Sequence, residues 1–263
     1  MNRNGHSAGL HVSSSSIMMG TSAHAWRGIM TEAHDKWVAL QTRRNSTPLQ
    51  IKIETTAMVI IDMQEYFMNP RSPYSRYMEG TESGLLDYFV DRSRGVVEPN
   101  LQRLLGRFRV HESRVIFTTV ASEFPDGRDL SSTFQRMNVE ARQQIGDVVL
   151  PPRTDPWARI VDKLAPAENE AVINKTTYGS FASTGLDGML RNLGIDTLVI
   201  GGVLTNRCVE ATVRDAADRG YRVVLVDDGT ATFSQELQDM TMHSLMGSYA
   251  FVRTADEVLA ILL

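Results

Sequence analysis

Short, almost wholly apolar runs recur along the chain from residue 55 and alternate with segments of helical character. The apolar runs cover residues 57–62, 114–119, 171–174, 197–201, 222–227 and 250–252. Helical periodicity or a helix-ending glycine marks residues 97–108, 186–193, 207–219, 235–247 and 255–262. Strands that are apolar on both faces and are separated by helices are typical of a parallel sheet with helices on both sides. The pattern predicts a three-layer α/β/α sandwich with a central, mostly parallel sheet.

Residues 1–50 differ from the rest of the chain. They carry four of the six histidines, a run of serines at 13–16 and a weakly amphipathic stretch. This composition predicts an N-terminal extension or arm that is partly disordered at its start and contains a helix over 25–42, packed on the body or on a neighbouring subunit. Residues 51–263 form the predicted domain, in which we expect residues 69–98 to form an insertion over the sheet edge.

Composition excludes several classes of function. The 27 Lys and Arg against 31 Asp and Glu give a net charge of −4, which argues against nucleic acid as a partner. The longest apolar runs are strand-length, too short for a bilayer, and the start of the chain lacks the apolar core of a secretory signal. A single cysteine rules out an internal disulfide and a cysteine-rich zinc site. We therefore expect a cytoplasmic protein without membrane contact.

Three chemically distinctive residues follow predicted strands. Asp62 ends the first apolar run, Lys175 ends the third, and Cys208 follows the fourth in the first turn of a predicted helix. Taken singly, each has an ordinary structural alternative: Asp62 as a helix cap, Lys175 as a solvated side chain, Cys208 as a small buried hydrophobe. Taken together they are more informative, because the carboxyl ends of parallel strands meet at one edge of the sheet, where active sites lie.

An acid, a cation and a thiol at one edge suggest a division of labour. Asp62 would accept the thiol proton and would later transfer protons to the leaving amine and from the hydrolytic water. Lys175 would stabilise both the thiolate and the carboxylate, and the start of the helix would lower the pKa of Cys208. Cys208 would attack a carbonyl carbon and form a thioester.

The chain from about residue 55 to 263 resembles the isochorismatase-like cysteine hydrolase superfamily. The matching motifs are Val59-Ile-Ile-Asp-Met-Gln64, Asn174-Lys-Thr-Thr-Tyr-Gly-Ser-Phe181 and Gly201-Gly-Val-Leu-Thr-Asn-Arg-Cys-Val-Glu-Ala-Thr212, followed by Arg214-Asp-Ala216 and Gly220-Tyr221. The resemblance implies the isochorismatase-like hydrolase fold and the catalytic triad Asp62, Lys175 and Cys208. It also implies a cis peptide between Val203 and Leu204, and an oxyanion hole made of the backbone amides of Leu204 and Cys208.

Departures from the family pattern narrow the expected reaction. Nicotinamidase-like members carry an Asp-x-His and a further histidine that bind a metal, whereas residues 119–125 here contain no histidine. We therefore expect neither a metal nor another cofactor. The retained Cys208 favours hydrolysis of a C–N bond. The C-terminal half and the N-terminal extension resemble those branches of the family that act on ureides such as biuret, triuret, ureidoacrylate or carbamoyl amino acids. A vinyl ether hydrolase of the isochorismatase type and a catalytically silent binding or assembly module remain alternatives.

Further residues near these motifs are candidates for substrate binding. Glu123 could accept hydrogen bonds from a ureide, and Arg207 could either hold a substrate carboxylate or face solvent. The complete set of candidates is Phe67, Glu123, Tyr178, Phe181, Asn206 and Arg207. The resemblance also implies a homo-oligomer, a dimer or a tetramer, with the N-terminal arm offering an apolar stretch to a neighbouring subunit.

Overall fold

The computed structural model of the protein describes residues 22–262, and the side chains of residues 32–262. The expected disorder at the start of the chain therefore lies outside the described residues. The chain divides into two compact units, residues 1–40 and 41–263. The helix expected over 25–42 is present as α1, Ser22–Asn45.

The second unit is built on a parallel sheet. Its strands pair in the order β3-β2-β1-β4-β5-β6, and every pairing is parallel. The strands are β1 Thr56–Ile61, β2 Arg114–Val120, β3 Ala171–Lys175, β4 Thr197–Val203, β5 Arg222–Ala231 and β6 Phe251–Arg253. The predicted α/β fold is confirmed, and the described sheet is parallel throughout. The strand order reverses direction between β1 and β4, the point at which open α/β sheets place their ligands.

Helices cover both faces of this sheet. They are α2 Glu65–Met68, α3 Pro73–Thr81, α4 Asp87–Arg92, α5 Glu98–Val110, α6 Ser132–Ile145, α7 Leu186–Asn192, α8 Glu210–Asp218, α9 Gln235–Leu245 and α10 Ala255–Ile261. Two π-helical turns, Ser93–Val97 and Thr205–Val209, precede α5 and α8. In the part of the chain that the structure describes, no helix is long and apolar enough to span a membrane.

The core consists of two hydrophobic layers, one on each face of the sheet. Successive side chains of β1 alternate between them: Met58 and Ile60 face the layer with α5, whereas Val59 and Ile61 face the layer with α7 and α8. Both faces are buried, since every residue of β1 and β4 is inaccessible to solvent. This double burial explains why the strands are apolar throughout rather than alternating.

The structure adds elements that the sequence pattern did not predict. The segment expected to be an insertion over the sheet edge, 69–98, folds into α3, α4 and the first π-helical turn. Helix α6 was not predicted, because only Phe134, Asn138 and Ala141 of its fourteen residues are buried. Strand β5 continues to Ala231, beyond the predicted end, through polar residues.

Gly202 lets β1 and β4 approach closely beside the site of interest. Its φ is +119°, and a Cβ at this position would lie 2.1 Å from the carbonyl oxygen of Ile61. Ile61 is the last residue of β1 and precedes Asp62. A side chain at residue 202 would therefore displace the backbone that positions Asp62.

We expect Gly202→Ala to lower the free energy of unfolding by about 3 kcal/mol, because backbone atoms cannot move aside as a flexible side chain can. Gly106 within α5 is the control, since a Cβ there meets no atom within 4 Å. Gly106→Ala should raise the same free energy by about 0.5–1 kcal/mol through helix propensity. Urea unfolding of both variants measures the difference, and equal stability of the two would contradict the packing argument.

Candidate active site

Asp62, Lys175 and Cys208 meet at the carboxyl edge of the sheet. Asp62 follows β1, Lys175 is the last residue of β3, and Cys208 lies in the π-helical turn after β4. The Nζ of Lys175 is 2.7 Å from Oδ2 of Asp62, and both side chains are fully buried. The thiol of Cys208 is within hydrogen-bonding reach of both. The structure thus brings together the three residues that the sequence singled out.

The backbone and β2 hold Asp62 in place. Its φ is +52°, and its N–H donates to the carbonyl oxygen of Thr118 over 3.1 Å. The Thr118 hydroxyl donates to Oδ1 over 2.8 Å. Among the described side chains no donor is aligned for a hydrogen bond to Oδ2, whose contact with Lys175 is an ion pair. One carboxylate oxygen is therefore held by Thr118, and the other by the charge of Lys175.

The charge of Lys175 is maintained by its partners. Burial on its own lowers the pKa of a lysine, but the charges of Asp62 and Cys208 outweigh it, so the pKa of Lys175 is raised. Its ammonium also donates to the carbonyl oxygen of Thr177 over 3.0 Å. Lys175 is thus a fixed buried cation beside the thiol and the carboxylate.

The environment of Cys208 differs from the expectation of a lowered thiol pKa. Burial is the largest cause and raises the pKa of Cys208, the charge of Lys175 lowers it, and the Asp62 carboxylate raises it, so that the net value is about 12. The expectation was wrong because burial and Asp62 together outweigh the charge of Lys175. The resting thiol is therefore neutral, and the site can form a thiolate only by moving the proton onto a neighbouring base.

The turn after β4 presents backbone groups next to Cys208. The peptide bond between Val203 and Leu204 is cis, as the resemblance implied. The carbonyl oxygen of Leu204 accepts hydrogen bonds from the amides of Arg207 and Val209, at 3.0 and 3.2 Å. The amide of Leu204 has no acceptor within residues 22–262. An oxyanion hole formed by the Leu204 and Cys208 amides remains a prediction.

A small, mainly apolar cavity opens onto Cys208. Its volume is about 20 Å³, room for about one water molecule. Edge-on aromatic pairs form its walls: Phe67 with Tyr74 at 4.9 Å, and Phe134 with Tyr178 at 4.5 Å between ring centroids. The complete lining is Phe67, Tyr74, Val120, Phe134, Met137, Leu150, Tyr178, Leu204, Arg207 and Cys208.

Only half of the six substrate-binding candidates line this cavity, namely Phe67, Tyr178 and Arg207. Glu123 is exposed and bridges Asn174 (2.9 Å) and Arg153 (3.1 Å) instead. It lies in the loop after β2 and is not a lining residue of this cavity, so its role in binding a ureide stays a prediction without geometric support.

Phe181 and Asn206 also lie apart from the cavity. Phe181 packs in the hydrophobic layer with α7 and α8, stacked on Tyr221 at 5.9 Å. Asn206 accepts a hydrogen bond from Thr232 over 2.7 Å and faces a shallow surface groove. Both residues are candidates for substrate binding because they are close in sequence to Lys175 and Cys208. The path of the chain places Phe181 in the hydrophobic layer and Asn206 at the surface groove instead.

Several residues of the site have no distinctive signal in the sequence. Thr118, which holds Oδ1 of Asp62, is an ordinary residue of an apolar strand. Tyr74 lies in α3, within the segment expected to be an insertion, and Phe134 lies in the unpredicted α6. The sequence around Tyr74 gives no sign that its side chain lies beside Cys208, so only the tertiary structure identifies it.

Metal binding finds no support in the arrangement of side chains. Within the described part of the chain, no cluster of three or more His, Cys, Asp or Glu residues could hold a metal ion. Independence from metals stays a prediction, since it concerns the reaction and not only the geometry.

The raised pKa of Cys208 predicts how its reactivity depends on pH. Alkylation requires the thiolate, so the rate with iodoacetamide should rise about tenfold per pH unit from pH 7 to 10 without reaching a plateau. Cys208 is the only cysteine, so mass spectrometry of the intact chain reports it alone. The control is the same chain in urea, which should level off above the ordinary thiol pKa of about 8.5. A plateau near neutral pH in the folded protein would contradict the raised pKa.

Comparison with known proteins identifies the family of the chain. A family model described as the isochorismatase domain matches residues 56–257. The uncharacterized isochorismatase family protein YwoC of Bacillus subtilis (strain 168) is 31% identical over 211 residues, covering 80% of this chain and 96% of that protein. The ureidoacrylate amidohydrolase RutB of Agrobacterium fabrum is 26% identical over 221 residues, covering 80% and 91%.

A solved structure shares the fold. The crystal structure of a cysteine hydrolase from Pseudomonas syringae pv. phaseolicola 1448A matches with a TM-score of 0.68 and 25% sequence identity, covering 82% of this chain and 97% of that one. The family model covers most of the chain, including all three residues at the sheet edge. The chain therefore belongs to the isochorismatase family of hydrolases.

Proposed function

We propose that the protein is a metal-independent cysteine amidohydrolase that cleaves a C–N bond of a small ureide or amide through a thioester on Cys208. The observation that carries the proposal is the buried Asp62–Lys175 ion pair in hydrogen-bonding reach of the only cysteine. The similarity to a ureidoacrylate amidohydrolase supports the ureide class of substrate.

The first step forms the bond between Sγ of Cys208 and the substrate carbonyl carbon. The thiol proton passes to the carboxylate of Asp62, which is within hydrogen-bonding reach of the thiol. The electron pair of the C=O π bond moves onto oxygen and gives an oxyanion. Lys175 stabilises the developing thiolate, because its ammonium stays charged while Asp62 becomes neutral.

The oxyanion needs donors at fixed positions. The backbone amides of Leu204 and Cys208 are the groups that we assign to it, and the Leu204 amide has no other acceptor in the described chain. Preorganised amides in a site with little water act strongly, and loss of a single donor in such sites costs about 10²–10³-fold in kcat.

Collapse of the intermediate breaks the C–N bond. The electron pair of the bond stays on nitrogen, which takes the proton from Asp62 and leaves as ammonia or an amine. Water then attacks the thioester and gives one proton to Asp62, and this proton returns to sulfur as the acid product departs. Asp62 thus accepts one proton and gives it up again in each half of the reaction.

The cavity limits what can reach Cys208. Its aromatic walls favour a small planar group, as ureides and amides are. A space of about 20 Å³ holds no such molecule, so the aromatic side chains must move apart when substrate enters.

We expect Cys208→Ala to lower ammonia release by about 10³-fold or more, because no other group supplies the covalent intermediate. The assay is a screen over biuret, triuret, ureidoacrylate, carbamoyl amino acids and nicotinamide. The melting temperature of the variant should stay within a few degrees of the parent chain. Full ureide hydrolysis by Cys208→Ala would disprove the thioester. Vinyl ether cleavage that survives in this variant, with no ureide hydrolysis by the parent chain, would favour the alternative reaction.

A double variant separates the catalytic role of the Asp62–Lys175 pair from its structural one. Asp62→Asn leaves Lys175 as an uncompensated buried charge, which should cost about 3–5 kcal/mol of stability as well as the activity. Combining it with Lys175→Met removes both charges and should restore most of the stability, measured by urea unfolding, but none of the ammonia release. Activity that returned together with stability would show that the pair acts only in the fold.

A further inference from the structure

Tyr74 carries a polar group that the proposed mechanism does not use. The residue is 2% exposed and lines the cavity at Cys208. Its hydroxyl has no hydrogen-bond partner among the described residues. A buried hydroxyl left unpaired costs about 1–3 kcal/mol, so a group of this kind that lines a cavity is a candidate for binding a ligand.

The neighbouring Tyr66 shows what a structural tyrosine does in the same environment. It is equally buried, but its hydroxyl donates to the carbonyl oxygen of Val120 over 3.0 Å. The ring of Tyr74 packs edge-on against Phe67 and gives that side chain a fixed position. Packing therefore accounts for the ring of Tyr74 but not for its hydroxyl.

The hydroxyl of Tyr74 is a permanent donor. Burial raises its pKa well above the ordinary value, and the positive charge of Arg207 only partly opposes this rise. The group is neutral at any physiological pH and carries a proton to donate. Tyr74 and Arg207 line the same cavity, so both can contact a molecule bound there.

Arg207 lines the same cavity and lacks a counter-charge. In residues 32–262 it makes no ion pair, and its guanidinium lies over the ring of Phe233, 5.3 Å from the centroid. Glu210, on the groove beside it, is paired with Arg214 at 2.8 Å instead. The cavity thus has an unpaired cation and an unpaired neutral donor, with no carboxylate in its lining.

We propose that Tyr74 and Arg207 form an anion subsite that binds a carboxylate on the substrate, beyond the C–N bond that Cys208 cleaves. A guanidinium and a hydroxyl together offer the donors that a carboxylate accepts, and Arg207 is half-buried between this cavity and the surface groove, where a substrate carboxylate would pair with its charge. The inference rests on the proposed function and narrows its substrates to ureido or carbamoyl acids, in preference to uncharged ureides such as biuret.

Ligand binding to the full-length chain carrying Cys208→Ala tests the subsite without any turnover, because this chain cannot form the proposed thioester and so cannot convert an amide probe to its acid. The probes are butanoate and its neutral isostere butanamide, compared at equal ionic strength by their effect on the melting temperature. Butanoate should raise the melting temperature of this chain, because it binds only the folded state, and butanamide at the same concentration should not.

Variants assign the effect to these two residues. Tyr74→Phe should weaken butanoate binding about tenfold, and Arg207→Gln at least as much, since each loses a hydrogen bond to a charged group. Tyr77→Phe is the matched control: it lies one turn further along α3, and its hydroxyl bonds Glu140 over 3.1 Å at the surface. This variant should bind butanoate as the parent does.

Stability distinguishes a binding role from a structural one. Without ligand, Tyr74→Phe should melt at the same temperature as the parent or slightly higher, because it removes an unsatisfied hydroxyl. Absence of a butanoate shift, an equal shift with butanamide, or an unchanged shift in Tyr74→Phe would each overturn the subsite. A chain that binds butanoate but hydrolyses no ureide would contradict the proposed function and leave the subsite standing.

Where ureides are hydrolysed, kinetics should show the same selectivity. Tyr74→Phe should raise the KM for N-carbamoylglycine about tenfold with little change in kcat, because the subsite binds ground state and transition state alike. For ethylurea, which lacks the carboxylate, neither constant should change. A fall in kcat for both substrates would show that Tyr74 acts on the reacting atoms and not on specificity.

Discussion

The buried ion pair between Asp62 and Lys175 is the interaction on which the rest of the site depends. Neither charge could be buried alone, since removing an ion from water costs several kcal/mol. The sheet order makes the pair possible: β1 and β3 flank β2, and the long side chain of Lys175 reaches across to Asp62. Thr118 on the strand between them fixes the other carboxylate oxygen. The arrangement that satisfies two buried charges also leaves one oxygen beside the thiol of Cys208.

Burial sets the order of events at Cys208. A thiol with a pKa of about 12 keeps its proton at rest, in spite of Lys175 nearby. In the mechanism that we propose, thiolate formation is therefore coupled to proton transfer onto Asp62 and to attack on a carbonyl that is already bound. Exclusion of water strengthens the charge interactions on which that coupled step relies.

The elements of the sheet could be predicted because strands buried on both faces are apolar throughout. Asp62, Lys175 and Cys208 could be predicted for a related reason, since polar residues directly after such strands must lie at one edge. Other features depend on tertiary contacts that no local pattern encodes. Helix α6 buries few residues, and its sequence is mostly polar. The hydroxyl of Tyr74 is unpaired because the folded chain places no described hydrogen-bond partner beside it. The pKa of Cys208 is raised mainly because the fold buries the thiol.

The closed cavity also bears on the chemical durability of the enzyme. Peroxides oxidise thiolates at accessible sites, first to sulfenic acid and then irreversibly to higher acids. Cys208 is protonated, 3% exposed and faces a space of about 20 Å³. The chain has no second cysteine that could trap a sulfenic acid as an internal disulfide. For the nucleophile that we propose, enclosure of the resting thiol therefore limits oxidation as a resolving cysteine does in other enzymes, and exposure is confined to the time in which the aromatic walls would open for substrate.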